Sequence, residues 1–178
     1  DPQVKMIEIK WSQGAKPGHG GIWPAAKVTE EISLTRGVPM GEDCISPARH
    51  RAFSTPIEMM HFIAQLRKLS GGKPVGFKLC IGQPWEFMAM VKAMRETSIY
   101  PDFIVVDGAE GGTGAAPLEF TDHLGMPMRE GLLFVHNVLV GAGVRSQIKV
   151  GAAGKIVSAF DIASAHASRA DRVHSGRA

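Results

Sequence analysis

Residues 103–117 constrain the fold more tightly than any other stretch of the chain. The apolar run Phe103-Ile104-Val105-Val106 leads directly into Asp107-Gly108-Ala109-Glu110-Gly111-Gly112-Thr113-Gly114-Ala115-Ala116-Pro117, with four glycines between positions 108 and 114. Such a run has the length and β-branched content of a buried strand. Glycines after it admit positive φ and let a ligand approach the backbone. In α/β proteins a buried strand opening into such a loop is a common way of building a ligand site at strand ends.

The same pairing of strand and glycine-rich loop recurs. Met6-Ile7-Glu8-Ile9-Lys10 alternates apolar and polar side chains and runs into Gln13-Gly14-Ala15-Lys16-Pro17-Gly18-His19-Gly20-Gly21. A later strand over 148–150 enters Gly151-Ala152-Ala153-Gly154-Lys155, a loop before a helix start, which suits a phosphate. A further strand over 75–80 holds Lys78 among apolar neighbours. A lysine there needs a partner or an aqueous face, and in a barrel it can point inward toward a ligand.

Helical signals separate the strands. Thr29 precedes a short helical stretch to Arg36, and Gly37 stops it. Thr55-Pro56-Ile57-Glu58 offers an N-cap, a proline at the first position and a capping-box glutamate, and Gly71-Gly72 ends that helix. Helices are also predicted over 84–97, 129–140 and 158–168, the last with Ser158 and Asp161 as a capping box. His136, among Phe134, Val135 and Val138, reads as a packed residue. The loop from 107 to about Met128 is long enough to imply a function. Strand–helix pairs repeated four times predict parallel strands with right-handed crossovers. The fold class expected is α/β: a partial (β/α)8 TIM barrel with about four parallel strand–helix units, residues 1–178 forming a single partial domain.

Composition excludes several functions. A net charge of +3 without a run of five basic residues gives no basis for nucleic-acid binding. No apolar run reaches 18 residues, so no membrane span is read. The two cysteines, Cys44 and Cys80, form no CxxC pair, which fits a reducing, cytoplasmic setting rather than a zinc site or disulfide framework. No Walker A, GxGxxG or GxSxG pattern is present. A first residue that is not Met and a polar last stretch from Arg172 to Ala178 read as a piece of a longer protein.

Two loops carry a family resemblance. Lys10-Trp11-Ser12-Gln13-Gly14-Ala15-Lys16-Pro17-Gly18-His19-Gly20-Gly21 resembles the K-x-x-Q-G-A-K-P-G-x-G-G motif of the FMN-binding domain of glutamate synthase. Residues 107–117 resemble the same family's D-G-G-T-G-A-x-P loop with a local insertion. Arg36, Ile45-Ser46-Pro47 and Lys78 agree in order and spacing, and the resemblance runs over about residues 4–168. It is strongest toward short, stand-alone FMN-binding glutamate synthase-like proteins. The resemblance implies an eight-stranded barrel with FMN at the strand ends, where a hydride passes to 2-iminoglutarate formed from 2-oxoglutarate and ammonia. It implies that Lys16 and Arg36 pair with the carboxylates of a 2-oxoglutarate-like substrate, with Ser46 adding a hydrogen bond. Lys10, Gln13 and Lys78 would lie along the polar edge of the flavin, the Gly111-Gly112 loop beside it, and Gly151 and Gly154 at its phosphate. An electron-donor domain or subunit is implied as partner.

Two departures stand out. Ile22 follows the double glycine where the family has Gln, which removes one substrate contact. The family's 3Fe–4S cluster cysteines have no counterpart, because Cys44 and Cys80 fall elsewhere. The alternative expectation is a non-catalytic or repurposed fragment, with a hydrolase-like activity as its extreme form, that pairs its open strand edges in a homo-oligomer.

Overall fold

The structure, a computed structural model, describes residues 1–110, 116, 117 and 119–176. A five-stranded parallel sheet organises it. Its strands are β1 (Ile7–Lys10), β4 (Val75–Leu79), β5 (Phe103–Asp107), β6 (Lys149–Ala153) and β7 (Arg172–His174), side by side in chain order. Between β1 and β4 the chain makes a small antiparallel pair, β2 (Ile22–Trp23) with β3 (Cys44–Ile45), the helix α1 (Glu30–Arg36), and then α2 (Pro56–Leu69). The helices α3 (Pro84–Thr97), α4 (Met128–Gly141) and α5 (Ala159–Ala167) follow β4, β5 and β6.

Strand alternation sorts the side chains into two faces. Ile9, Phe77, Leu79, Ile104, Val106, Val150 and Ala152 point to one face. There they form a single core with Met59, Met60 and Ile63 of α2, Phe87 and Met94 of α3, and Leu132, Val135 and Leu139 of α4. Ala165 of α5 joins the same core. The opposite face has its own small cluster, Phe103, Val105 and Ala153. A doubly wound sheet carries helices on both faces. Helices confined to one face of a parallel sheet whose strand order follows the chain form the arc of a (β/α) barrel, as the sequence implies.

The helix signals hold in detail. Thr29 Oγ1 accepts the Ile32 N–H, and Gly37 ends α1 with φ +64. The Thr55–Glu58 and Ser158–Asp161 capping boxes are both formed. His136 packs as read, its Nδ1 accepting from Arg145 Nε at 3.1 Å.

Two corrections concern the end of the chain. Residues 172–174, read as an unfinished tail, form a fifth parallel strand, paired through Gly151↔Arg172, Ala152↔Val173 and Ala153↔His174. Polar residues hide it from a hydropathy reading. What holds it is the ladder and Asp171, whose Oδ2 accepts the Val150 N–H and pairs with Arg145. Residues 151–153, read as loop, belong to β6. Glycine and alanine have weak strand preference, but β6 lies between β5 and β7 and its backbone is paired on both sides.

Candidate functional site

Parallel register aligns the face opposite the helices in rows. One row is Lys10, Lys78, Val105, Gly151 and Arg172, each paired with the next across the sheet. The row above it includes Asp107, Ala153 and His174. Lys10 and Lys78 therefore share a face because each alternates with core residues on its strand. Arg172 lies over the Phe103 ring at 4.7 Å, and its buried Nε has no hydrogen-bond acceptor among the described residues. His174 sits near Arg172, Glu8, Lys78 and Asp107, and burial with the nearby Arg172 pushes its imidazole below the ordinary 6.5.

The loop after β1 folds across these strand ends. Trp11 N donates to Lys78 O at 2.9 Å, and Ser12 Oγ accepts from Cys80 N at 2.9 Å. Gly14 N donates to Asp107 Oδ2 at 2.9 Å. A Cβ on Gly14 would stand 1.7 Å from Gly108 O, so only glycine lets the two loops meet. The Gln13 carbonyl accepts the Lys16 N–H at 3.1 Å, closing the turn that directs Lys16 inward.

Lys16 is 7% exposed, and the ion pairs among the described residues (Arg67–Asp102, Lys78–Asp107 and Arg145–Asp171) leave it out. Burial, followed by the nearby Lys10 charge, pushes its amine below the ordinary 10.5. Its Nζ lies 2.5 Å from where a Gly21 Cβ would be. Gly21 O accepts Ser46 N at 2.7 Å, so the structure gathers Lys16, Gly21 and Ser46. Arg36, the last residue of α1, instead stacks over Trp23 at 5.1 Å from the ring centroid.

Lys78 has a partner that the sequence does not reveal: its Nζ is 3.1 Å from Asp107 Oδ1. Gly151 lies within β6, and Gly154 follows it with φ +134. Gly111 and Gly112 lie outside the described residues. Glu110 is a second unread residue, its carboxylate accepting the Met128 N–H at 2.8 and 3.0 Å at the start of α4. The signal for both acids is their place in the loop after β5, but nothing in the sequence names their partners.

Two cavities flank the strand ends. One, of about 490 Å³, lies between the β1 loop and the start of α3 and is lined by Trp11, Pro17, Cys80, Gln83 and Trp85 among others. Another, of about 290 Å³, is lined by Gly154, Lys155, Arg129 and Glu110 among others. Burial, then the Asp107 charge, pushes the Cys80 thiol up to about 12, so it is a packing group rather than a thiolate. Among the described residues no group of three or more His, Cys, Asp or Glu side chains is placed to hold a metal, and no helix is long and apolar enough to cross a membrane.

A mandelate oxidase variant of known structure aligns over 97% of this chain and 41% of its own, at 17% identity and a TM-score of 0.48. In sequence the chain is 43% identical over 175 residues to a glutamate synthase large subunit-like protein, YerD, of Bacillus subtilis, covering 98% of this chain and 33% of that protein. It is 39% identical over 173 residues to the archaeal glutamate synthase [NADPH] of Methanocaldococcus jannaschii, covering 97% and 33%. A ferredoxin-dependent glutamate synthase 2 of Synechocystis is 34% identical over 160 residues, covering 89% and 10%. The chain thus spans about a third of the length of the first two of these relatives. The profile described as the conserved region in glutamate synthase matches residues 2–178, and on that match the chain belongs to the glutamate synthase family.

Proposed function

We propose that the protein carrying this chain is an FMN-dependent oxidoreductase of glutamate synthase type, reductively aminating 2-oxoglutarate by way of 2-iminoglutarate in the cytoplasm. The observation that carries this reading is Lys16: a buried cation without an ion-pair partner among the described residues, at the strand ends of a member of that family. A largely buried lysine whose ammonium has no ion-pair partner among the described residues offers that charge to an anionic ligand. Lys16 supplies one cation for a dicarboxylate, Arg36 a second, and Ser46 a hydroxyl from the segment bonded to Gly21.

The residues fit FMN in their donor chemistry. Lys10 and Lys78 share a row on the inner face, Gln13 begins the turn beside it, and Arg172 Nε is a buried donor in want of an acceptor. Gly154, at φ +134, opens toward the cavity that Lys155 and Arg129 line, which suits a phosphate, with Gly151 in the strand before it. Gly111 and Gly112 belong to the loop assigned to the flavin's side. When bound, FMN supplies the hydride. The protein's own part is to orient the dicarboxylate, balance charge and exclude water. A 3Fe–4S cluster does not fit this chain, since Cys44 and Cys80 are its only cysteines and such a cluster needs more thiolates. An electron donor acts from another domain or subunit.

The test is made on the full-length protein, with absorbance for FMN and steady-state kinetics for 2-oxoglutarate. Flavin bands in the purified protein, with Lys16→Met raising KM for 2-oxoglutarate at least tenfold, are expected. A protein that takes up no FMN, or a Lys16→Met variant with unchanged KM, overturns the reading. The 178-residue chain alone is expected to bind FMN weakly or not at all, since a complete barrel needs about 250 residues.

A further inference from the structure

We propose that Asp107 is the positioning residue of the strand-end site, its two carboxylate oxygens fixing the Lys78 ammonium and the Gly14 turn in one arrangement. The inference rests on the FMN reading of the site for its charge component, and on geometry alone for its positional component.

Asp107 is the last residue of β5. Its Oδ1 is 3.1 Å from Lys78 Nζ, and its Oδ2 accepts Gly14 N–H at 2.9 Å. The next residue, Gly108, donates its N–H to Ala153 O at 2.8 Å and sets its own carbonyl against Gly14. One side chain and its neighbour thus join the ends of four strands: the β1 loop, β4, β5 and β6. Gly14 stands two residues before Lys16, so an anchor on Gly14 N is an anchor on the turn that buries Lys16.

A simple stabilising ion pair is the plainer account, and such partly exposed pairs contribute little. It explains the Lys78 contact but not the second oxygen. Asp107 divides its two acceptors between two loops, and its side chain is 13% exposed against 25% for Lys78. Charge gives the second argument. Lys78 lies in a row with Lys10 and Arg172, and Asp107 is the carboxylate paired with that row among the described residues. Neutralising it removes the carboxylate ion-paired to that row and leaves Glu8, near His174, as the acid that remains there, so the positive charge of the inner face rises in a partly desolvated medium.

Asp107→Asn keeps the shape and an amide oxygen for Gly14 but removes the charge; Asp107→Ala removes both. The full-length protein is measured by hydrogen exchange of residues 13–21 and, loaded with FMN, by its midpoint potential. In Asp107→Ala the amides of 13–21 exchange at least tenfold faster, while in Asp107→Asn and Lys78→Met they exchange as in the wild type. In Asp107→Asn the potential of bound FMN moves positive by about tenfold in the redox equilibrium, ~30 mV for a two-electron couple. Unchanged exchange in Asp107→Ala, or an unchanged potential in Asp107→Asn, overturns the proposal; should Asp107→Ala not fold, the potential decides. A wild-type protein that takes up no FMN defeats the FMN reading instead, and the exchange measurement still decides whether Asp107 holds the Gly14 turn.

Discussion

Gly14 and Gly18 sit four residues apart in one loop, yet they are glycine for different reasons. Gly14 faces Gly108 O so closely that a Cβ would stand 1.7 Å from it, whereas Gly18 has φ +75 and nothing within 4 Å of its Cβ position. Gly14→Ala must push two loop backbones apart, at a cost of about 3 kcal/mol or more. Gly18→Ala carries only left-handed backbone strain, about 1 kcal/mol. Chemical denaturation of the two variants should therefore give clearly separated midpoints, with Gly14→Ala the less stable. Lys16 adds a pH-dependent test. Burial lowers the folded-state pKa of its amine below the ordinary 10.5, so between those two values the unfolded chain binds more protons. Stability then rises with pH across that alkaline window, and below it the charged amine weighs against the fold. Lys16→Met should raise Tm near neutral pH and flatten the alkaline rise. A lower Tm at every pH would contradict a cost of burial at Lys16. At this scale the sequence reveals which residue types gather, as with Lys10, Gln13 and Lys16. It does not reveal that Lys78 spends its charge on Asp107, because that contact joins positions 29 residues apart through the sheet register.

Caps decide where the elements begin, and most of them are legible because capping is local. Thr55 Oγ1 accepts the Glu58 N–H at 3.2 Å, and Glu58 Oε2 accepts Thr55 N at 3.1 Å and Ser54 N at 2.6 Å. All of these partners lie within four residues, so a short motif contains the whole device. Thr55→Ala should lower stability by about 1 kcal/mol, and Thr55→Ser should restore most of it; equal stability of wild type and Thr55→Ala by urea denaturation would deny the box its role. The start of α4 is different. Pro127 offers no side-chain cap there, and Glu110 supplies a carboxylate from across the long loop instead. That device is non-local and escapes a motif reading. The short strands escape for a related reason. β2 and β3 have two residues each, and β7 has three polar or half-buried ones. Elements that short have no periodicity to detect, and they exist because a neighbouring strand accepts their backbone.

At the scale of the molecule, the described sheet has two unpaired edges, β1 and β7, and helices on only one face. Parallel strands are ordinarily covered on both faces, and exposed edges recruit further strands. The face without helices holds Lys10, Lys78, Asp107, Arg172 and His174 around the small apolar cluster of Phe103, Val105 and Ala153, so it carries far more charge than the side-chain-filled interior of a closed barrel. Association through the backbone edges and association through that charged face differ in their response to salt. Screening shortens the reach of exposed charges to about 3 Å at 1 M ionic strength, while strand pairing depends on backbone hydrogen bonds that salt hardly touches. The isolated 178-residue chain is therefore expected to self-associate at micromolar concentration, and sedimentation velocity in about 0.1 M and about 1 M salt separates the two routes. Oligomer that persists at high salt assigns the contact to the β1 and β7 edges. Oligomer that dissociates assigns it to the charged face. A monomer under both conditions would contradict the expectation that the open β1 and β7 edges recruit a partner, and neither the backbone edges nor the charged face would then drive association of this chain.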